Sequence, residues 1–199
     1  MLNVAVLVSG GGTNLQAILD AKAAGALPHA KIALVLASKP GVYALERASK
    51  ASVPGIVVAR KSYAAPEEYD AALLAALREH RIDVVVLAGF LSILGPSVIT
   101  AYSERILNVH PSLIPSFCGA GYYGLRVHEA ALAKGVKVTG ATVHFVNEVP
   151  DGGRILLQQA VDVLPGDTPE TLQKRVMEQA EWVILPQATE RLAQQLEQG

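Results

Sequence analysis

The stretch "ILNVH" at 106–110 is apolar enough to be a buried strand, yet it carries an amide at Asn108 and an imidazole at His110. Side chains alternate across a strand, so these two polar groups share a face. A neutral donor beside a titratable donor can hold an oxygen that becomes negative, which is what attack on a carbonyl requires. The plainer reading is that both satisfy backbone groups in the turn that Pro111 and Pro115 stiffen. Downstream, "VHFVNEVPDGG" supplies Asp151. A carboxylate close to an imidazole favours its charged form and fixes its orientation. An Asp before Gly-Gly is also an ordinary turn former, and spacing alone does not bring Asp151 back to His110. His144 sits on the strand before this turn and reads as structural, packing or bonding within a sheet.

A second feature is "VSGGGTNLQ" at 8–16, where glycines join an apolar strand to a helix. Glycines let the main chain approach a ligand, and the N–H groups at a helix start suit an anion such as phosphate. The bland alternative is a tight turn capped by Thr13 or Asn14. A dinucleotide fingerprint fails, because Leu15 stands where the third glycine belongs and "ASKPG" ends the second strand without an acid. No Gly-Lys-Ser/Thr follows, so this is not a P-loop, and a single phosphate monoester is the better fit. Ser112 and Ser116 lack a nucleophile elbow. Cys118 could attack beside His110, but a partly buried free thiol is the commoner state. The five histidines show no metal-ligand spacing, so no metal is expected.

Composition narrows the classes. The 199 residues suit one domain, and 51% of them are apolar, enough for a sizeable core. A net charge of −1 implies no general attraction to nucleic acid or anionic membrane. One cysteine excludes an intrachain disulfide and argues against a Cys-based metal site. The start has no basic region, and the run "DVVVLAGFLSILGP" is too short and too interrupted to span a bilayer. A cytoplasmic protein is expected.

The elements that position these residues follow from periodicity. Strands are expected at 2–8, 31–37, 55–59, 83–89 and 106–110, and helices at 13–25, 41–51, 66–80 and near 96–103. Such alternation means a parallel sheet with helices on both faces. Segments 137–146 and 154–164 flank a Gly- and Asp-bearing turn and should pair antiparallel. A long helix from Thr168 to about Leu196, bent or broken at Pro186, should close the chain. In open sheets of this kind ligands bind beyond the carboxyl ends of the strands. Loops 9–14, 89–96 and 108–119 all fall there.

With these motifs in place, the chain resembles the folate-dependent formyltransferases, and among them the phosphoribosylglycinamide enzymes. The likeness runs from "VAVLVSGGGTNLQAI" through "DVVVLAGFLSIL", "ILNVHPSLIPSF" and "GATVHFVNEVPDGGRILLQ" to the last helix. It implies one Rossmann-like formyltransferase domain over 1–199, transferring the formyl group of 10-formyltetrahydrofolate to the amine of 5'-phosphoribosylglycinamide in purine synthesis. The substrates would be small molecules, and the protein a monomer or homodimer. Carried over residue by residue, Asn108, His110 and Asp151 would be catalytic. Gly12, Thr13, Asn14 and Glu181 would hold the ribonucleotide. Leu91, Ser92, Ile93 and Leu94, with Asn108 and the loop Asn147, Glu148, Val149, Pro150 and Asp151, would hold the folate. A formyl-folate hydrolase is the neighbouring activity. It would be expected to carry an extra N-terminal regulatory domain, and a methionyl-tRNA enzyme an extra C-terminal one; neither is seen in this sequence. Ser92 stands where many relatives have arginine near the folate tail, and Pro66 where some have a ligand-contacting arginine, which leaves open how the benzoyl-glutamate tail, or part of the ribonucleotide, is recognised; Lys61 is one substitute. Segment 118–130 is longer than in several relatives and reads either as a lid or as a surface loop.

Overall fold

Hydrophobic burial on both faces of one sheet organises the molecule. In a computed structural model describing residues 1–198, seven strands run in the order β3-β2-β1-β4-β5-β6-β7. They are β1 (Leu2–Val8), β2 (Ala30–Ala37), β3 (Gly55–Val57), β4 (Val84–Leu87), β5 (Ile106–His110), β6 (Val138–Phe145) and β7 (Ile155–Asp162). The first five are mutually parallel; β6 runs antiparallel to β5, and β7 to β6. Period-2 alternation divides the core. Val4, Val6 and Val8 pack with Leu15, Ile18 and the C-terminal helices on one face. Ala5 and Leu7 pack with Tyr69, Leu73 and Leu77 on the other.

The helices are α1 (Thr13–Ala23), α2 (Tyr43–Lys50), α3 (Pro66–Glu79), α4 (Pro96–Ala101), α5 (Leu125–Lys134), α6 (Pro169–Val176) and α7 (Trp182–Gln198). Strand order reverses between β1 and β4, so the loops after these strands diverge and leave a crevice at the carboxyl edge.

Two expectations need correction. Segment 118–130 is not loop throughout: α5 begins at Leu125, after a loop in which Gly119, Gly121 and Gly124 take positive φ. Only Val127, His128 and Ala131 of α5 are buried, so its apolar stripe is too thin to read through the glycines before it. The closing helix, in turn, is not broken at Pro186, which lies inside α7. The interruption is a wide π-type turn at Met177–Glu181. Pro186 cannot bond the carbonyl of Trp182 and crowds it, and the wide turn ends at that residue. No helix among the described residues is long and apolar enough to cross a membrane.

α5 also buries His128 completely, with neither ring nitrogen hydrogen-bonded. Burial, with the nearby His110 adding to it, lowers the imidazole from 6.5 to about 4. The unfolded chain therefore binds a proton that the folded chain rejects between those two values. Stability present above pH 6.5 should be lost as pH falls toward 4, by roughly 3 kcal/mol from this group. Urea unfolding across that range should show a shallower acid loss for His128→Leu than for the parent protein.

Candidate active site

β1 hands the chain to α1 through Ser9–Gly12. Gly12 has φ 73°, and a Cβ there would stand 2.7 Å from that of Ala44, so α2 can pack directly on the loop. Gly12 offers no side chain to cap α1, and no acid occupies its first turn. The opening N–H groups therefore keep their capacity for an anion. Ser9 supports the neighbouring loop: its Oγ lies 2.7 Å from that of Ser38 and accepts the N–H of Leu91 at 2.9 Å. Across the crevice, the wide turn delivers Glu181. Asn14 Nδ2 donates to its Oε2 at 2.7 Å, while Asn14 Oδ1 is buried without a partner. Burial pushes the Glu181 carboxyl up, and the Asn14 bond only partly opposes this.

The register of β5 against β6 sets Asn108 opposite His144. The turn after β6 then folds Asp151 back onto both. A Cβ at Gly153 would overlap the Phe145 carbonyl, so only glycine allows this close return. Asp151 itself has φ 55°, a conformation Asp tolerates better than most residues. Its Oδ2 accepts the Gly119 N–H at 2.8 Å and lies 3.5 Å from His110 Nδ1. Its Oδ1 lies 3.5 Å from both His144 Nε2 and Asn108 Nδ2. Burial works to raise the Asp151 carboxyl, but His144, the Gly119 N–H and His110 together hold it below its ordinary value. The carboxylate is thus anionic, with an imidazole on each side.

Both imidazoles are constrained. His110 Nε2 lies 2.9 Å from the Phe117 carbonyl, which can only accept, so this nitrogen carries hydrogen. Proton uptake at Nδ1 then makes an ion pair with Asp151. His144 Nδ1 likewise donates to the Phe145 carbonyl at 2.8 Å. Its Nε2, 3.2 Å from Asn108 Nδ2, accepts from that amide when the ring is neutral. When protonated it points a donor at Asp151 instead.

Two clefts meet at this cluster. One, of about 170 Å³, is walled by Leu87, Phe90, Leu94 and Val146 and rimmed by the Asn147–Asp151 turn. The other, of about 310 Å³, runs from Thr13 and Asn14 past His110 to Glu181. Phe90, Asn108 and Asp151 line both. Of the expected folate residues, Ser92, Ile93, Leu94 and the 147–151 turn border the first cleft. Leu91 borders the second, and its side chain is largely exposed.

The sequence profile of the formyl transferase family matches residues 2–189. The chain belongs to this family. Within it, phosphoribosylglycinamide formyltransferase of Haemophilus influenzae is 43% identical over 186 residues, 94% of this chain and 84% of that protein. Glycinamide ribonucleotide transformylase 1 from Symbiobacterium toebii superposes with a TM-score of 0.91 at 42% identity, over 98% of this chain and 89% of that one. The trifunctional purine biosynthetic protein adenosine-3 of Drosophila melanogaster is 42% identical over 182 residues, 91% of this chain but 13% of that protein. The chain therefore spans only a small part of the trifunctional relatives it matches.

His144 bonds within the sheet, as its place on a strand led one to expect, and it does so at the polar cluster. It contacts both Asn108 and Asp151. Its face on β6 was legible, but its neighbours depended on a cross-strand register that no local pattern encodes. Tyr122, Tyr123, Gln173 and Met177, which border the larger cleft, carried no motif at all.

Glu181 generates a test on stability. A carboxyl raised by folding holds its proton more tightly in the folded state, so stability falls as pH climbs from its ordinary 4.5 through the raised value. Glu181→Gln removes that loss while keeping an acceptor for Asn14. Its melting temperature should exceed the parent's at pH 7–8 by on the order of 2–4 °C, and the gap should close near pH 4.

Proposed function

We propose that this chain transfers the formyl group of 10-formyltetrahydrofolate to the amine of 5'-phosphoribosylglycinamide, a step of IMP synthesis. One observation carries the reading: two clefts of different chemistry converge on Asn108 and Asp151. The first has apolar walls for a flat ring system and, at its rim, the backbone of the 147–151 turn for polar ring edges. The second begins at the uncapped start of α1, which suits a phosphate, and ends at Glu181, whose buried carboxyl suits sugar hydroxyls. A donor and an acceptor substrate laid in them meet at the polar cluster.

The residues then divide the work. Asn108 and His110 supply N–H groups to the formyl oxygen as the amine adds to its carbon. The Asn108 amide faces His144 and Asp151, and His110 Nε2 faces Phe117, so the formyl oxygen must replace a protein acceptor. Asp151 keeps His110 charged and, as an anion, takes the proton that leaves the amine. His110 returns a proton to the folate nitrogen as its bond to carbon breaks. Mass and charge balance, leaving tetrahydrofolate and the formylated ribonucleotide. Leu91 through Leu94, with the Asn147–Asp151 turn, hold the folate; Gly12, Thr13, Asn14 and Glu181 hold the ribonucleotide. The lone thiol of Cys118 fits a reducing compartment, and we place the protein in the cytoplasm.

Incubating the protein with 10-formyltetrahydrofolate, with and without the ribonucleotide, tests this directly. Formylated ribonucleotide should form only when both are present. Formate released at the same rate without the amine would replace transfer by hydrolysis. Asp151→Asn should lower kcat by about 10²–10⁴-fold while the ribonucleotide KM changes little. Matching losses in both would assign Asp151 to binding instead.

A further inference from the structure

We propose that Arg47 is a positioning residue for the ribonucleotide: by binding the Gly11 carbonyl it turns the Gly12 N–H toward the crevice. This rests on the ribonucleotide reading of the larger cleft. An anion at a helix start is held by N–H groups, and each must face it. In a planar trans peptide the C=O and N–H point in opposite directions, so whatever binds the carbonyl aims the N–H.

All three carbonyls of the glycine loop are bound. Gly10 O accepts the Ala44 N–H at 3.3 Å, and Gly12 O accepts the Gln16 N–H at 2.9 Å. Gly11 O accepts from Arg47 Nε at 2.8 Å. Ala44 and Arg47 lie on α2, which follows β2 on one side of β1, whereas the crevice opens on the other side, between β1 and β4. The N–H groups of Gly11 and Gly12 therefore face away from α2. Among the described residues neither donates to any protein group.

The middle peptide is the one held by a side chain. It joins two glycines, so no Cβ resists its rotation, and reversal would present a carbonyl to the anion. Arg47 prevents this, and it is itself ordered. It is half-buried, and its guanidinium carbon lies 4.9 Å from the centre of the Tyr43 ring. Nη1 donates to Gln16 Oε1 at 2.8 Å, and Gln16 Nε2 donates to Asp20 Oδ1 at 2.8 Å. Arg47 borders a separate cavity with Gln16, Asp20 and Trp182, and it does not line the larger cleft. It acts through the peptide, not by touching the phosphate.

Two variants separate the bond from the charge. Glutamine places an N–H donor as many bonds from the backbone as arginine Nε, without charge; methionine has similar length and no donor. Ribose 5-phosphate and ribose are titrated calorimetrically into the parent, Arg47→Met and Arg47→Gln, and transfer rates are measured with both substrates. Arg47→Met should raise the ribose 5-phosphate Kd and the ribonucleotide KM by about tenfold. Its kcat and folate KM should stay within about twofold of the parent. Arg47→Gln should recover to within about threefold of the parent Kd. Unchanged affinity in Arg47→Met, an equal rise in its folate KM, or an Arg47→Gln as weak as Arg47→Met overturns the assignment. A parent that binds ribose 5-phosphate no better than ribose removes the phosphate site and the assignment with it. The titrations need no turnover: their loss in Arg47→Met and recovery in Arg47→Gln support Arg47 even if transfer is not observed.

Discussion

The carboxylate of Asp151 is the interaction on which the rest depends. Removing a charge from water costs several kcal/mol unless partners replace its solvation. Here they come from separate stretches: the Gly119 N–H, His110 on β5 and His144 on β6. The outcome is an anion whose affinity for protons is lowered despite burial. Losing any one partner would leave the others facing an under-solvated charge. The cluster therefore specifies the path of the 117–119 segment and the return of the 147–153 turn as much as it serves chemistry.

The sheet makes that convergence possible. Parallel strands point their carboxyl ends to one edge, and reversing the strand order between β1 and β4 opens a crevice there. Two antiparallel strands then extend the sheet beyond β5. β6 runs antiparallel to β5 and ends level with Leu107, so it is the backward fold of the turn after it, closed at Gly153, that carries Asp151 to His110. The helices supply burial and two further devices: an uncapped start at α1, and a wide turn before α7 that brings Glu181 to Asn14.

Glu181 and Asp151 are two carboxyls in one crevice with opposite fates. Glu181 has one side-chain donor to offset its burial, and its affinity for protons rises. Asp151 has several, and its affinity falls. Environments that differ in this way move the proton affinities of two acids in opposite directions. His128 is the converse case: a charged imidazole needs acceptors, its buried ring nitrogens have no partner, and it stays neutral.

Much was legible from local order. Apolar β-branched runs gave the parallel strands, the glycine loop marked a helix start suited to an anion, and alternation put Asn108 and His110 on one face. These are short-range consequences of sterics and periodicity. Helix α5 escaped because three glycines precede it and few of its residues are buried. Three further relations were decided only by tertiary structure: the pairing of Asn108 with His144, the return of Asp151 onto both imidazoles, and the reach of Arg47 to the Gly11 carbonyl. Each joins residues brought together by strand register or by packing across the sheet edge, and a chain's local preferences do not encode which distant side chain will supply the missing hydrogen bond.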